Sequence, residues 1–475
     1  MVGNEARVKG ELTASLTMAR VTVDFVEVRR GAFFDSVTLM LASRDALAQA
    51  GVQAASALAA TPLNIALLAE QGFELADAHA EDVVVAVRAD DRAAVHAALA
   101  AVERRLSAPR SWRAAQAPPR SFRGAVRGRP ELSVALVSVP GRHAATECAA
   151  ALEAGLNVFC FSDGVSLADE LALKRLALER GLLMMGPECG TAILDGVGLG
   201  FANLVERGPV GIVGASGSGI QALCCLLDAA GVGISHAIGV GGRDLDPEVG
   251  GLMATPAVEL LAADPGTEAI ALVGKGEAQA PALEEAAGGR PLITAIPGTG
   301  TLEETAGRLC ELVGATPPTF AEELRTPPRP GVILGCFSGG TLCDEVGWLV
   351  GGGDHRFTDF GEATFTSGRP HPMIDPSLRA AYIEREAANE NVSALVFDVV
   401  LGHGAHPDPA GALVAALKSA LAGRDSPLSA IAAVCGTDRD PQGLAAQTQS
   451  LEAAGAVVTR SPAHAARLAR QAVSA

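Results

Sequence analysis

Short β-branched runs alternate with alanine- and leucine-rich stretches at helical spacing along almost the whole chain. The runs predict strands at Val21–Val28, Val83–Val87, Val134–Val139, Val158–Phe161, Val210–Val213, Ala269–Val273, Leu292–Ala295, Val332–Gly335, Ala394–Val400, Ile431–Val434 and Val457–Thr459. Most are apolar throughout rather than alternating, as strands buried on both faces are, so the pattern predicts parallel sheets covered by helices. Ligands of such sheets bind beyond the carboxyl ends of the strands, which directs attention to the segment after each run.

Two stretches interrupt the pattern. Residues 107–130, SAPRSWRAAQAPPRSFRGAVRGRP, hold six arginines, four prolines and no acid, and read as an exposed basic connector. Residues 315–330, ATPPTFAEELRTPPRP, hold five prolines and read as a second linker. Between and beyond them lies an internal repeat. Gly208–Glu277 runs strand, GASGSGIQ, helix, a second strand ending in GVGGRDL, helix, then AIALVGKGEA; Gly331–Ala405 runs strand, GCFSGGTL, helix, a polar loop, helix, then ALVFDVVLGHGA. Both copies put a glycine/serine turn directly after an apolar strand, and we read them as two flavodoxin-like units in an α/β protein that opens with an α/β domain over residues 1–106.

The 475 residues suffice for about two to four domains. No window reaches the ~18 uninterrupted apolar residues of a membrane helix, and MVGNEARVKGELTASL lacks the apolar core of a secretory signal, so a cytoplasmic protein without a membrane role is expected. With 37 basic against 54 acidic residues the net charge is −17, which argues against nucleic-acid partners and requires any bound anion to be small and locally held. Nine scattered cysteines without a CxxC pair fit reduced, buried thiols and no metal site.

The turn Gly214–Gly219 lets backbone approach a ligand, and the unpaired N–H groups of the following helix start attract an anion. Ser216, Gly217, Ser218 and Gly219 are the candidate phosphate contacts, with Gly242 after the second strand and Lys275 at the end of an apolar strand. It is neither a Walker loop nor a dinucleotide fingerprint, since no Lys follows the last glycine and the glycine spacing differs. In the second unit the matching turn supplies Ser338, Gly339, Gly340 and Thr341, so two helix starts in tandem units are expected to face one ligand.

GIVGASGSGIQ, HAIGVGGRDLDPEVGG (236–251) and TSGRPHPMIDPSLR (366–379), together with RRGAFFDSVTLM (29–40), TPLNIALL (61–68), FSDGVSLADELALK (161–174) and MGPECGTAI (185–193), resemble the FdrA family of the succinyl-CoA synthetase superfamily, in order along nearly the whole chain. The resemblance implies a Rossmann-like CoA-binding-type domain at 131–206, an α-type ligase domain at 207–314 and a β-type ligase domain at 331–475. It also implies two helix starts that cradle a phosphorylated histidine in the synthetases. Here PGTGTLEE stands where their GHAGA loop would be, and their ATP-grasp domain has no counterpart. Some FdrA-type proteins are similar to subunits of oxamate carbamoyltransferase, which in purine-ring catabolism converts oxalurate and phosphate to oxamate and carbamoyl phosphate. The resemblance therefore implies a carbamoyl- or acyl-transferring subunit that associates with other subunits and with itself. Its ligands would be phosphate or carbamoyl phosphate, and CoA is a further candidate. An NDP-forming acyl-CoA synthetase subunit and a non-catalytic scaffold or filament-forming member are the alternatives.

In that reading Arg243 and Arg369 hold the phosphate through their bidentate forks, and His371, in a rigid loop between two prolines, serves as acid/base or carbonyl polariser. Arg243-Asp244 is otherwise a loop ion pair. Lys275-Gly276 stands where family members tend to show Lys-Pro. Asp375 is expected to cap the helix after Pro376. His403, His406 and Asp408 read as a polar strand-end loop rather than metal ligands, and Cys189 as structural for want of a base.

Overall fold

The computed structural model describes residues 22–74, 78–107, 119–275, 280–296, 298 and 300–474. The segment read for a leader, residues 108–118 of the basic connector and the Gly276-Glu277 pair lie outside the described residues. The chain folds as two units, Met1–Arg113 with Ser367–Pro370, and Ala114–Thr366 with His371–Ala475.

In the first unit, strands Val23–Arg29, Val52–Ala59 and Val83–Ala89 form a three-stranded sheet with the third strand in the middle, antiparallel to both neighbours. The expectation of parallel sheets is corrected here. The run VVVAV (83–87) is apolar throughout because the middle strand is buried there on both faces, and that pattern reports burial rather than strand direction. Asp35, Thr61 and Asp91 start the three helices of this unit, each accepting from the backbone N–H three residues on. Ser367–Pro370 packs with this unit: Asn64, fully buried, donates to the carbonyls of Ala59 (2.8 Å) and Gly368 (3.3 Å).

The second unit begins with helix Phe122–Gly128 in the part of the connector read as irregular, capped by Ser121. A three-stranded parallel sheet follows, Val134–Val137, Asn157–Cys160 and Met184–Met185, with helices Gly141–Glu153 and Leu167–Glu179.

Next come the repeats. In the first, strands Val210–Gly214, Ile234–Gly239, Ala269–Val273 and Leu292–Ala295 are parallel in the order 2-1-3-4. A hairpin of Thr191–Leu194 and Val197–Gly200 adds antiparallel to the free edge of the second strand. In the second repeat, Val332–Phe337, Arg356–Asp359, Val392–Val400, Ser429–Cys435 and Val457–Thr459 are parallel in the order 2-1-3-4-5. The shared order matches the internal repeat, and it is the flavodoxin-like order. Arg356–Asp359 was not anticipated, because this edge strand is short and polar. Each first strand leads through a glycine turn into a helix, Gly217–Ala229 and Gly340–Val350, and these helices share one core in which Ile220 and Leu223 meet Phe337, Leu342 and Val346. Burying such side chains contributes about 1.5–3 kcal/mol each. Residues 315–330 form no helix or strand, yet Phe320 and Leu324 pack on the same core.

Candidate reaction centre

The two glycine turns converge. Ser216 caps helix Gly217–Ala229, its Oγ accepting from Gly219 N at 3.0 Å, and the same hydroxyl bonds to Thr341 Oγ1 on the second helix. Ser218 Oγ accepts from Thr341 N at 3.3 Å. The approach is close enough to demand glycine: a Cβ on Gly339 would stand 2.7 Å from Ser218 Cβ, and one on Gly219 would stand 2.6 Å from Val273 Cγ1 and 3.3 Å from Thr341 Cγ2. Two positive helix ends thus point at one place, an arrangement that needs negative charge to stabilise it.

The second helix start carries its own. Asp398, fully buried on strand Val392–Val400, accepts from Ser338 N (2.9 Å), Ser338 Oγ (2.9 Å) and Gly339 N (2.8 Å), and pairs with the buried guanidinium of Arg379. Ser338 and Gly339 therefore spend their donors on an internal carboxylate, not on a ligand. At the first helix start no carboxylate intervenes among the described residues. Gly217 lies against Thr191 of the added hairpin, with its Cβ position 3.0 Å from Thr191 Oγ1. That hydroxyl is buried with no hydrogen-bond partner among the described residues, a polar atom aimed at the helix start and free to bond an oxyanion. The hairpin and Asp398 were both invisible to motif reading.

Around this point stand three titratable groups. Lys275 Nζ ion-pairs with Asp344, and both Lys275 and Asp359 border Gly340, whose Cβ position is 3.4 Å from Lys275 Nζ and 2.6 Å from Asp359 Oδ2. Burial pushes the Asp359 carboxyl up to about 6, against the Gly361 N–H that favours its charge. His371 packs on Phe201 (centroids 5.2 Å apart), and burial, with the nearby Arg379, lowers it to about 4. Its Nδ1 accepts from Met373 N at 3.3 Å, which leaves the proton of the neutral ring on Nε2, beside Gly361. In this tautomer His371 donates a hydrogen bond and offers no lone pair at Nε2, so it suits carbonyl polarisation better than proton abstraction or phosphoryl acceptance.

Other expected residues have partners of their own. Arg243 donates from Nε to Glu170 (2.8 Å) and from Nη2 to Val165 O (2.8 Å). Behind it, buried Lys174 bridges Glu170 and Asp244, each at 2.7 Å, while Asp244 also takes the N–H groups of Met253 and Ala254. This network ties the three-stranded sheet's helix to the first repeat and occupies the fork assigned to phosphate. Gly242 lies on the same turn, its Cβ position 3.9 Å from Glu188. Arg369 belongs to the first unit and donates to Asn64 Oδ1 at 3.1 Å. Asp375 accepts from Ser377 N (3.0 Å), Asp408 caps helix Pro409–Ala422 through Gly411 N (3.1 Å), and burial pushes the Cys189 thiol up to about 12.

The structure thus joins tandem flavodoxin-like repeats whose helix starts meet. Among family models, "AllF, heavy metal-associated domain" matches residues 21–120, "CoA binding domain" 205–298 and "CoA-ligase" 336–472. YahF of Escherichia coli (strain K12), described as an uncharacterized protein, is 37% identical over 505 residues covering 94% of this chain and 98% of that one. The chain belongs to its family, an FdrA-like branch of the succinyl-CoA synthetase superfamily. The mitochondrial succinate–CoA ligase [ADP-forming] subunit alpha-2 of Trichomonas vaginalis is 34% identical over 152 residues, 31% of this chain and 48% of the relative, so only about half of that subunit is spanned. A solved structure, dinucleotide-forming acetyl-coenzyme A synthetase 1 of Ca. Korarchaeum cryptofilum with phosphate and ADP, aligns over 72% of this chain and 82% of that one at 17% identity and TM-score 0.30. No helix among the described residues is long and apolar enough to cross a membrane.

Proposed function

We propose that this chain is a cytoplasmic subunit of a multi-subunit acyl-CoA ligase, and that its reaction centre is the meeting point of the two helix starts. The unpartnered Thr191 hydroxyl at the start of helix Gly217–Ala229 carries the reading. The N–H groups at Gly217 and Ser218, with Thr191, hold the phosphoryl end of an acyl phosphate, while His371 Nε2–H polarises its carbonyl. CoA, bound as a substrate, supplies the thiol that attacks that carbon; the acyl–sulfur bond forms, the acyl–oxygen bond breaks, and phosphate leaves. Printed names of the relatives, as subunits of CoA ligases, support a partner that makes the acyl phosphate.

A second reading is carbamoyl transfer from oxalurate to phosphate, giving oxamate and carbamoyl phosphate. It is favoured by two observations: no histidine follows strand Leu292–Ala295, and His371 presents N–H rather than a lone pair, so a direct transfer suits the centre better than a histidine relay. The test uses the full chain with the products of its neighbouring genes. CoA-dependent turnover of acetyl phosphate, or of a carboxylate substrate with ATP, is the expected result. Carbamoyl phosphate from oxalurate and phosphate, without CoA turnover, reverses the order of the two readings. Silence in both assays, with no phosphate binding by calorimetry, leaves the scaffold role.

A further inference from the structure

Beside the meeting point lies a cavity of about 520 Å³ that no family model and no relative's name assigns. It opens along the seam between the repeats. Ile296 forms one wall, and Trp348 and Phe357 form the other. Lys275, Asp344, Asp359 and Glu362 supply its charged lining, with Lys275 and Asp359 reaching the start of helix Gly340–Val350 as described above. The volume suits a small organic group and falls within the ordinary range for ligand sites.

We propose that this cavity receives the far end of the acyl substrate and that this end carries a protonated amine. The inference rests on the proposed reaction centre and names its substrate class. Among the described residues three carboxylates and one ammonium line the cavity, and that ammonium is already paired with Asp344. A second carboxylate entering here would meet net negative charge in a partly desolvated space, whereas an ammonium would find Asp359 and Glu362 as partners. The aromatic wall adds to the same preference, because indole and phenyl faces attract cations. Burial disfavours the ionised form of Asp359, and an entering ammonium would offset that cost. A metal ion is the poorer occupant: among the described residues no group of three or more His, Cys, Asp or Glu is placed to hold one.

The test compares probes of matched length. The full chain is titrated calorimetrically at pH 7.5 with 4-aminobutyrate and with succinate, and separately with inorganic phosphate. 4-Aminobutyrate should bind about tenfold more tightly than succinate or better, a difference of about 1.4 kcal/mol. Asp359→Asn, nearly isosteric, should remove that preference. Lys275→Met should leave 4-aminobutyrate binding intact or improved. Equal or tighter binding of succinate, its loss in Lys275→Met, or no binding of 4-aminobutyrate overturns the proposal. Phosphate binding without 4-aminobutyrate binding sinks this inference alone, whereas failure of phosphate sinks the reaction centre beneath it.

Discussion

The two helix starts are built from the same motif and solve the same electrostatic problem differently. In the second repeat the residue that follows the last partner of the central strand Val332–Phe337 is Asp398, and its carboxylate fills the helix start. In the first repeat the corresponding position, after Val273, is Gly274, which carries no carboxylate to take the place that Asp398 holds in the second. One helix start is therefore satisfied from within, while the other keeps a buried, unpaired hydroxyl beside it. Of two similar helix starts one is a structural anchor, and the other is the one to which the proposed function assigns the ligand. The anchor holds the second turn rigid, so that Thr341 can meet Ser216 and Ser218 across the seam.

The largest effect is expected from emptying the anchor. Asp398→Ala leaves the buried Arg379 unpaired and three donors unsatisfied, and should cost about 3–5 kcal/mol in urea unfolding. Phosphate should recover part of that loss in the variant, by more than it stabilises the native chain, because the vacated start becomes a second anion site. Equal stabilisation of both proteins would mean that the two starts do not differ as described.

Next comes the first turn. Gly219→Ala drives a methyl into Val273 and the second helix, which should cost about 1–3 kcal/mol and abolish phosphate binding in calorimetry. The contrast with Gly217→Ala sharpens it, since there the added methyl meets Thr191 Oγ1 at 3.0 Å and should weaken the ligand with little loss of stability. Phosphate affinity unchanged in both variants would place the ligand elsewhere.

Much of this was legible in the chain, and what was missed has physical causes. Both glycine turns and the flavodoxin-like repeat follow from strand-then-glycine spacing, because close backbone approach leaves a strong local mark. The antiparallel first sheet was not legible, since a middle strand covered on both faces looks alike in either direction. Arg243 and Arg369 pointed to phosphate by residue type, but an arginine's partner is set by tertiary neighbours, here Glu170 and Asn64, which no local pattern reveals. Asp398 sits in a continuous apolar run, ALVFDVV, where a lone buried acid is itself the signal: it persists only if paired, and Arg379 with the 338–339 turn pairs it.

A third prediction extends the comparison to another helix. Glu345, on the second repeat's helix, is buried and accepts from Leu302 N at 2.9 Å at the start of helix Leu302–Leu312, while its Oε1 has no hydrogen-bond partner among the described residues. Burial pushes this carboxyl up to about 7 from an ordinary value of 4.5. The folded state then holds more protons than the unfolded one between these values, so the contribution of Glu345 to stability falls as pH rises from about 4.5 to about 7. Glu345→Gln should gain on the order of 2 kcal/mol relative to the native chain at pH 8, and nothing near pH 4.5. A gain that does not change with pH would place the charge elsewhere.

The smallest effect tests the bridge itself. The first helix has a side-chain cap in Ser216, whereas the second begins at Gly339 with none, so the first turn alone can both cap its helix and reach across the seam. Ser216→Ala should cost about 1 kcal/mol, the usual worth of a lost cap. Thr341→Val keeps shape and removes only the hydroxyl that meets Ser216. If the two hydroxyls act as one bridge, the double variant loses less than the two single losses combined, by about 0.5–1 kcal/mol in urea unfolding. Strict additivity would show that the helix starts touch without depending on each other. The open site would then owe its shape to Gly219 and Asp398 alone.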